Sequence, residues 1–74
     1  MTKQELLDSE MWRNTRDDEP VFLLVARDEF APEVVRQWTK PVRFHGRALK
    51  ANDAEKIALS MEEWQTFHGS KKPD

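Results

Sequence analysis

Several residue types and patterns are missing from this chain, and each absence excludes a class of protein. There is no cysteine among the 74 residues, which excludes disulfide bonds and thiolate metal sites. Only two glycines occur, Gly46 and Gly69, so a glycine-rich phosphate-binding loop is excluded. The longest apolar run, residues 21–26, is too short to span a bilayer, and residues 1–20 lack the apolar segment of a signal peptide. We therefore expect a soluble, cytoplasmic protein.

Patterns of catalytic side chains are also missing. His45 and His68 are far apart and do not have the spacing of metal ligands. Glu62 and Glu63 are adjacent, so on a helix they diverge by about 100° and cannot act as a general acid and base on one group. No serine lies beside a histidine or in a nucleophile-elbow motif. The sequence therefore predicts a non-enzymatic protein without a catalytic residue, a metal site or a cofactor.

The small size of the chain predicts association with other copies. A domain of this length buries only about 60% of the surface that its unfolded chain exposes. Its hydrophobic content of 38% is low for a self-sufficient core. Small domains usually compensate with disulfides, metals or oligomerisation. Because the first two are not indicated here, we expect a homo-oligomer.

Acidic residues are absent from residues 34–52, which contain five basic residues and therefore carry a net charge of +5. Residues 1–33 carry −5 and residues 53–74 carry −2, so the total of −2 conceals a segregated distribution. Such segregation indicates a surface for a partner more than a catalytic site. The isoelectric point of about 5.7 argues against general binding of duplex DNA, which favours basic chains.

The first third of the chain predicts one helix and one strand. Thr2 and Glu5 have the spacing of a capping box, which favours a helix from about residue 3 to residue 13, followed by an acidic linker to residue 19. Residues 21–26 are rich in branched and aromatic side chains and favour a strand. A strand needs a ladder partner, and the only other candidate is residues 42–44. Pairing within the chain, pairing with a second copy, and a buried helix over residues 21–26 all remain open.

Two further helices are predicted after this segment. Pro32 suits the first turn of a helix, Asp28 can cap it, and Pro41 ends it. The apolar face of this helix would contain Ala31, Val34, Val35 and Trp38. The last helix begins near Arg47 or at Asn52 and ends at Gly69. Its apolar residues recur at steps of three and four: Ala51, Ala54, Ile57, Ala58, Met61 and Trp64. Asn52 and Glu55 have the spacing of a capping box at the later start.

These elements predict an α+β fold that is mostly helical, with about three helices and one short strand or hairpin. It would be a small single domain over residues 1–74, completed by oligomerisation around residues 21–26 or around the last helix. Residues 1–19 would form the N-terminal helix and acidic linker, residues 20–69 the core, and residues 70–74 a frayed tail.

The basic window supplies a candidate ligand-binding site. Guanidinium groups bind phosphates through two parallel hydrogen bonds, and aromatic rings stack on bases for about 1–3 kcal/mol each. A nucleotide site in this window would combine the cations Arg36, Lys40, Arg43, Arg47 and Lys50 with the rings of Trp38 and Phe44.

Asp28 is a further candidate for a ligand contact, because ligands gather at the carboxyl ends of strands in α/β proteins. A helix cap, or an ion pair with Arg27, is the alternative role for Asp28. The alternative for the whole window is that Trp38 is a core residue and that the basic residues offset the acidic N-terminal third, within or between subunits.

The chain resembles a group of small, uncharacterised proteins encoded by tailed bacteriophages and prophages. The resemblance covers about residues 20–74 and depends on three blocks: Pro20-Val21-Phe22…Leu24…Ala26…Asp28…Ala31-Pro32…Val35…Trp38, then Lys50-Ala51…Ala54…Ile57-Ala58…Met61…Trp64, and Lys72-Pro73-Asp74. The pattern of this group has a proline after the last tryptophan. Here Gln65 follows it, which predicts that the last helix continues.

No functional residue can be transferred from this group to the chain, because the group has no assigned activity. It implies a small accessory protein in the cytoplasm of the host cell. With the charge pattern, it leads us to expect an anti-defence protein that sequesters a nucleotide signal. The alternatives are an inhibitor that binds an acidic surface of a host protein, and a structural or assembly protein of the virion.

Overall fold

The structure is a computed structural model that describes residues 1–72, and it is helical. Its elements are α1 (Lys3–Leu7), α2 (Glu10–Asn14), α3 (Ala31–Phe44) and α4 (Ala48–His68). Helix accounts for 62% of the described residues and strand for 3%, and these residues form no sheet. The predicted α+β fold is therefore wrong. The β-type contact that does occur is an isolated bridge between Asp28 and Lys71.

Residues 21–26 do not form the predicted strand. Residues 21–25 have no regular secondary structure, and a turn begins at Ala26. The candidate partner, residues 42–44, belongs to the last turn of α3, so no ladder can form within the chain. Val21, Phe22, Leu23 and Val25 are exposed. β-Propensity reports how well a residue suits a half-buried sheet, and without a partner strand it has no effect.

The N-terminal segment forms two short helices where one was predicted. The Thr2 cap is confirmed, because its Oγ1 accepts a hydrogen bond from the Glu5 amide at 3.2 Å. The chain then breaks at Ser9, whose Oγ donates to the Leu6 carbonyl at 2.7 Å and accepts from the Trp12 amide at 3.1 Å. Ser9 thus caps α2. A serine in this position competes with the helical backbone for its own hydrogen bonds, and this competition ends α1.

Helices α3 and α4 form an antiparallel hairpin joined by residues 45–47. Their contact is built from small side chains, since Ala31, Ala51 and Ala58 are fully buried. Ala51 and Ala58 are seven residues apart and therefore lie on one face of α4. Thr39 is buried opposite them and donates its hydroxyl to the Arg36 carbonyl at 2.6 Å. Small residues at the contact allow the two helices to approach closely.

The predicted apolar face of α3 is only partly correct. Ala31 is buried and Val35 is half-buried, as expected, but Val34 and Trp38 are exposed. Thr39 is buried at the core position that the apolar pattern assigned to Trp38. The contact face of α3 is therefore rotated from the predicted one, toward Pro32, Thr39 and Val42.

Pro41 does not end α3, which continues to Phe44. A proline inside a helix removes one backbone hydrogen bond, and here only three helical residues follow it. Their turn is held by the amide of His45, which donates to the Pro41 carbonyl at 3.1 Å, and by the amide of Arg47, which donates to the Val42 carbonyl at 3.1 Å. Val42 is half-buried, so packing favours the additional turn.

Helix α4 begins at Ala48, close to the first of the two predicted starts, and the capping box of Asn52 and Glu55 does not form. The prediction that the helix ends at Gly69 is confirmed. Its continuation through Gln65 to His68 is confirmed as well.

The segment before α3 is attached to the end of α4. The Gln65 side-chain amide donates to the carbonyls of Ala26 and Asp28 at 2.8 and 2.9 Å. The Lys71 amide donates to the Arg27 carbonyl at 2.8 Å, and the Lys71 carbonyl accepts from the Glu29 amide at 3.0 Å. These bonds join residues 26–29 to the start of the predicted tail. Pro73 and Asp74, which complete that tail and the last block of the resemblance, lie outside the described residues.

The N-terminal helices stand apart from the hairpin. α1 and α2 contact each other, and within residues 1–72 neither approaches the backbone of α3 or α4. The radius of gyration is 13.3 Å, whereas a compact chain of this length has about 11 Å. The protein is therefore an open structure in which one helical hairpin supplies the core.

Candidate functional site

The structure separates the predicted site residues into groups. Asp28 lies before α3, at the end of the hairpin opposite to the loop of residues 45–47. Helix α3 is about 20 Å long, so Asp28 is not brought to the residues near this loop. The other seven predicted residues lie on α3, in the loop or in the first turn of α4: Arg36, Trp38, Lys40, Arg43, Phe44, Arg47 and Lys50.

Arg36 pairs with a carboxylate of the same chain. Its Nη1 donates to Glu62 Oε2 at 2.9 Å and its Nη2 to Glu62 Oε1 at 2.6 Å, which is the bidentate geometry of a strong ion pair. These hydrogen bonds lower the pKa of Glu62 and raise the pKa of Arg36. Desolvation opposes both shifts, and the direct charge interaction between the two side chains adds to them.

Arg43, in the last turn of α3, contacts two side chains of α4. Its Nη1 donates to Asn52 Oδ1 at 2.9 Å, and its Nη2 lies 3.4 Å from Glu55 Oε1. Asn52 and Glu55 are the residues whose spacing predicted a cap for α4. In the folded chain they hold Arg43 instead.

The two arginines thus form a row of ion pairs along one flank of the hairpin. Arg36 and Arg43 are seven residues apart, and so are Glu55 and Glu62, so both pairs fall in one register between antiparallel helices. The interpretation that the basic residues offset the acidic N-terminal third is wrong for these two, because the acids that pair with them within the chain come from α4. This matched spacing is the sequence signal that could have identified them.

Three cations of the window remain around the loop. Lys40, Arg47 and Lys50 are exposed, and none forms an ion pair with the described part of the chain. Phe44 lies among them with 86% of its surface exposed, and its ring contacts the His45 ring edge to face at 5.5 Å between centroids. We call Lys40, Phe44, His45, Arg47 and Lys50 the basic tip.

Trp38 does not belong to the basic tip. It lies two residues before Lys40, which on a helix is about 200° away, whereas Phe44 lies four residues after Lys40 and shares its face. Trp38 is instead a neighbour of Val34 on the opposite flank of α3, and both are about half exposed. Of the two aromatic residues predicted to stack on a ligand, only Phe44 accompanies the unpaired cations.

Asp28 has a structural role in a turn. Its Oδ1 accepts a hydrogen bond from the Phe30 amide at 2.9 Å. The N-cap position of α3 is Phe30, which makes no side-chain cap, so the prediction of Asp28 as the helix cap is wrong. The ion pair with Arg27 is not among those formed by residues 1–72. Asp28 thus orients the chain before α3 and is far from the basic tip.

A wide surface depression lies beside the ion pairs, lined by Arg36, Asn52, Glu55, Lys56 and Leu59. It is open to solvent, unlike the concave apolar pockets that bind small molecules. Residues 1–72 contain no cluster of three histidine or carboxylate side chains that could hold a metal ion. In the same part of the chain, no helix has both the length and the apolar character needed to cross a lipid bilayer.

Comparison of this chain with protein-family models, with curated proteins and with solved structures gives no match.

Proposed function

We propose that this protein is a non-enzymatic accessory binding protein, of a bacteriophage as the resemblance implies, that acts in the host cytoplasm. Its basic tip docks on an acidic surface of a host protein and inhibits that protein. The single observation that supports this proposal best is the exposure of Phe44 among cations that have no acidic partner in the described chain.

An exposed aromatic side chain within a ring of charge is a typical anchor of a protein interface. Aromatic residues contribute a large share of interface free energy when a partner removes them from water. Lys40 lies one turn before Phe44 on α3, Arg47 and Lys50 follow it across the loop, and these cations would accelerate association with an acidic surface through long-range attraction. The surface of the tip is convex, because it lies at the turn between two helices, and convex surfaces fit grooves on other proteins.

Sequestration of a nucleotide is less well supported by the geometry. Phosphate binding was predicted for Arg36, Arg43 and Arg47, and the first two already hold carboxylates. A phosphate would have to displace Glu62 or Glu55 to reach them. Arg47 alone retains a free guanidinium beside Phe44. Sequestration of a nucleotide remains a prediction, and native mass spectrometry tests it.

The experiment is affinity capture from a lysate of the bacterial host with the tagged protein. We expect one host protein to be retained in stoichiometric amount and to be released by salt, because exposed charges are screened within about 10 Å at 0.1 M ionic strength. Phe44→Ala and Arg47→Glu should each weaken the affinity for the purified partner about tenfold or more.

Matched control variants distinguish binding through the basic tip from nonspecific binding. Phe22 is 85% exposed, as much as Phe44, but lies outside the tip, so Phe22→Ala should retain the partner. Arg16→Glu changes an exposed arginine in the N-terminal part and should also retain it. Equal capture by Phe44→Ala and the unaltered protein would overturn the proposal. A bound nucleotide in native mass spectrometry that is lost when Arg43 and Arg47 are both replaced by alanine would replace it with sequestration.

A further inference from the structure

Helix α4 is apolar on more than the face that contacts α3. Ala51 and Ala58 are buried against α3, yet Leu49 and Phe67 are 82% and 83% exposed, and Leu59 is about half exposed. Large apolar residues that are exposed in this way on one helix mark a candidate interaction surface.

Three of the four exposed large apolar residues of α4 fall in one stripe, and the fourth, Trp64, lies outside it and stacks on His68. Steps of three and four residues place side chains on one face of a helix. Such steps join six residues, which we call the α4 stripe: Leu49, Asn52, Lys56, Leu59, Glu63 and Phe67. The stripe spans 18 residues between its two ends, which corresponds to about 27 Å. Its two ends and its middle are apolar. A cation, Lys56, lies before the middle, and an anion, Glu63, lies after it.

The charges of the stripe favour one relative orientation, parallel or antiparallel, for a second copy that packs on it. Lys56 and Glu63 are exposed, and neither forms an ion pair with the described part of its own chain. Two parallel copies would place Lys56 opposite Lys56 and Glu63 opposite Glu63. Two antiparallel copies place each Lys56 within one helical turn of Glu63 from the other copy, and they place Leu49 opposite Phe67. Complementary flanking charges set the orientation of helix pairs in this way.

The exposed area agrees with a second copy. The accessible surface of the chain is 6338 Å², and a compact protein of this mass has about 4,800 Å². The excess of about 1,500 Å² exceeds the area of about 800 Å² that each partner contributes to a standard stable interface. Part of this excess comes from the N-terminal helices that stand apart from the hairpin, and a second copy along the stripe would cover the exposed Leu49, Leu59 and Phe67.

We infer that two copies of this chain associate through their α4 stripes, antiparallel, in a homodimer with a two-fold axis near Leu59. The same patch is used by both copies, as a two-fold interface requires. This interface adjoins the basic tip at Leu49 but shares no residue with it, and it does not depend on the proposed function. The arrangement places the two basic tips at opposite ends of the dimer.

The first test is a charge exchange, read by analytical ultracentrifugation over a concentration series. Lys56→Glu and Glu63→Lys each convert two attractions into two repulsions and should raise the dimer dissociation constant about tenfold or more. The double variant Lys56→Glu/Glu63→Lys restores both attractions and should dimerise like the unaltered chain. Arg16→Glu, an equal change of charge at an exposed position outside both the stripe and the basic tip, is the control and should leave the dissociation constant unchanged. Circular dichroism verifies that each variant retains its helices.

The second test determines orientation and uses the absence of cysteine in the chain. A disulfide requires Cα atoms within about 7 Å. Leu59→Cys lies near the proposed axis and should form a disulfide between copies on oxidation. Phe67→Cys should not, because its equivalent in an antiparallel copy is about 27 Å away. Cross-linking of both variants would indicate parallel copies and overturn the inference. A protein that remains monomeric at all concentrations, or a double variant that fails to restore association, would overturn it as well.

Discussion

Arg36 and Glu62 are joined across α3 and α4 by two hydrogen bonds of 2.9 and 2.6 Å, although 26 positions separate them in the sequence. Arg43 continues the same row with Asn52 and Glu55. The buried side chains of the contact between the helices include three alanines and a threonine, and such small side chains set distance but give little preference for register. The ion pairs supply that preference, because a shift by one turn would break both of them.

The Arg36–Glu62 pair makes the stability of the hairpin depend on pH. The pKa of Glu62 is lowered in the folded chain, so its stabilising effect is complete above the ordinary glutamate pKa of about 4.3 and is lost as the pH falls through the lowered value. We expect Glu62→Gln to lower the melting temperature at about pH 6, with a difference that shrinks toward about pH 3. Thermal melts followed by circular dichroism measure this. Asp17→Asn removes a carboxylate without a cross-helix partner and should show no such trend.

Overpacking of the interface between α3 and α4 should destabilise the fold. Ala58 is fully buried there, so Ala58→Leu forces the two helices apart and should cost about 1–3 kcal/mol in the free energy of unfolding. Ala48 is exposed at the start of the same helix, and Ala48→Leu should change the stability by less than about 0.5 kcal/mol. Urea denaturation measures both. Similar losses for the two variants would contradict the observed packing of the hairpin.

Gln65 should hold residues 26–28 against α4. Gln65→Ala leaves the carbonyls of Ala26 and Asp28 without their donor and should cost about 1–3 kcal/mol. Limited proteolysis should also cleave faster at Arg27. Gln37 is exposed on α3, and Gln37→Ala serves as the control that should behave like the unaltered chain. If cleavage at Arg27 is unchanged in Gln65→Ala, the two hydrogen bonds do not restrain this segment.

Gly69 should be required for the chain to turn back after α4. Its φ of +82° and ψ of 171° lie in a region that is almost confined to glycine. An added Cβ would meet no atom within 4 Å, so the cost of Gly69→Ala comes from the backbone and should be about 1–3 kcal/mol. Ser70→Ala, at the next position, should have little effect. Chemical denaturation compares the two, and equal stabilities would show that the turn is not strained.

The sequence predicted the helices α3 and α4 correctly because their signals are local. Pro32 in a first turn, the three- and four-residue steps after Ala51, and the stop at Gly69 each act within one or two turns of the chain. Pro41 misled the prediction because the loss of one hydrogen bond was outweighed by the packing of Val42, which depends on α4. Tertiary contacts of this kind are not visible in a local pattern.

The error over residues 21–26 has a different physical origin. A strand is a pairwise structure, and the composition of one segment does not reveal whether a partner exists. The site prediction failed in part for a similar reason. The window of basic residues was found, but the acids that neutralise Arg36 and Arg43 lie on another helix. Only comparison of the spacings on both helices would have separated the paired arginines from the basic tip.

The detachment of α1 and α2 from the hairpin has a consequence for cooperativity. Helices of five residues are not stable alone, and the backbones of these two approach each other but not the backbones of α3 and α4. Their amides should therefore exchange with solvent deuterium through local opening, at a free energy well below that of global unfolding. The amides of α3 and α4 should exchange only when the hairpin itself opens. The chain thus contains two units of unequal stability, and the N-terminal one can melt while the hairpin persists.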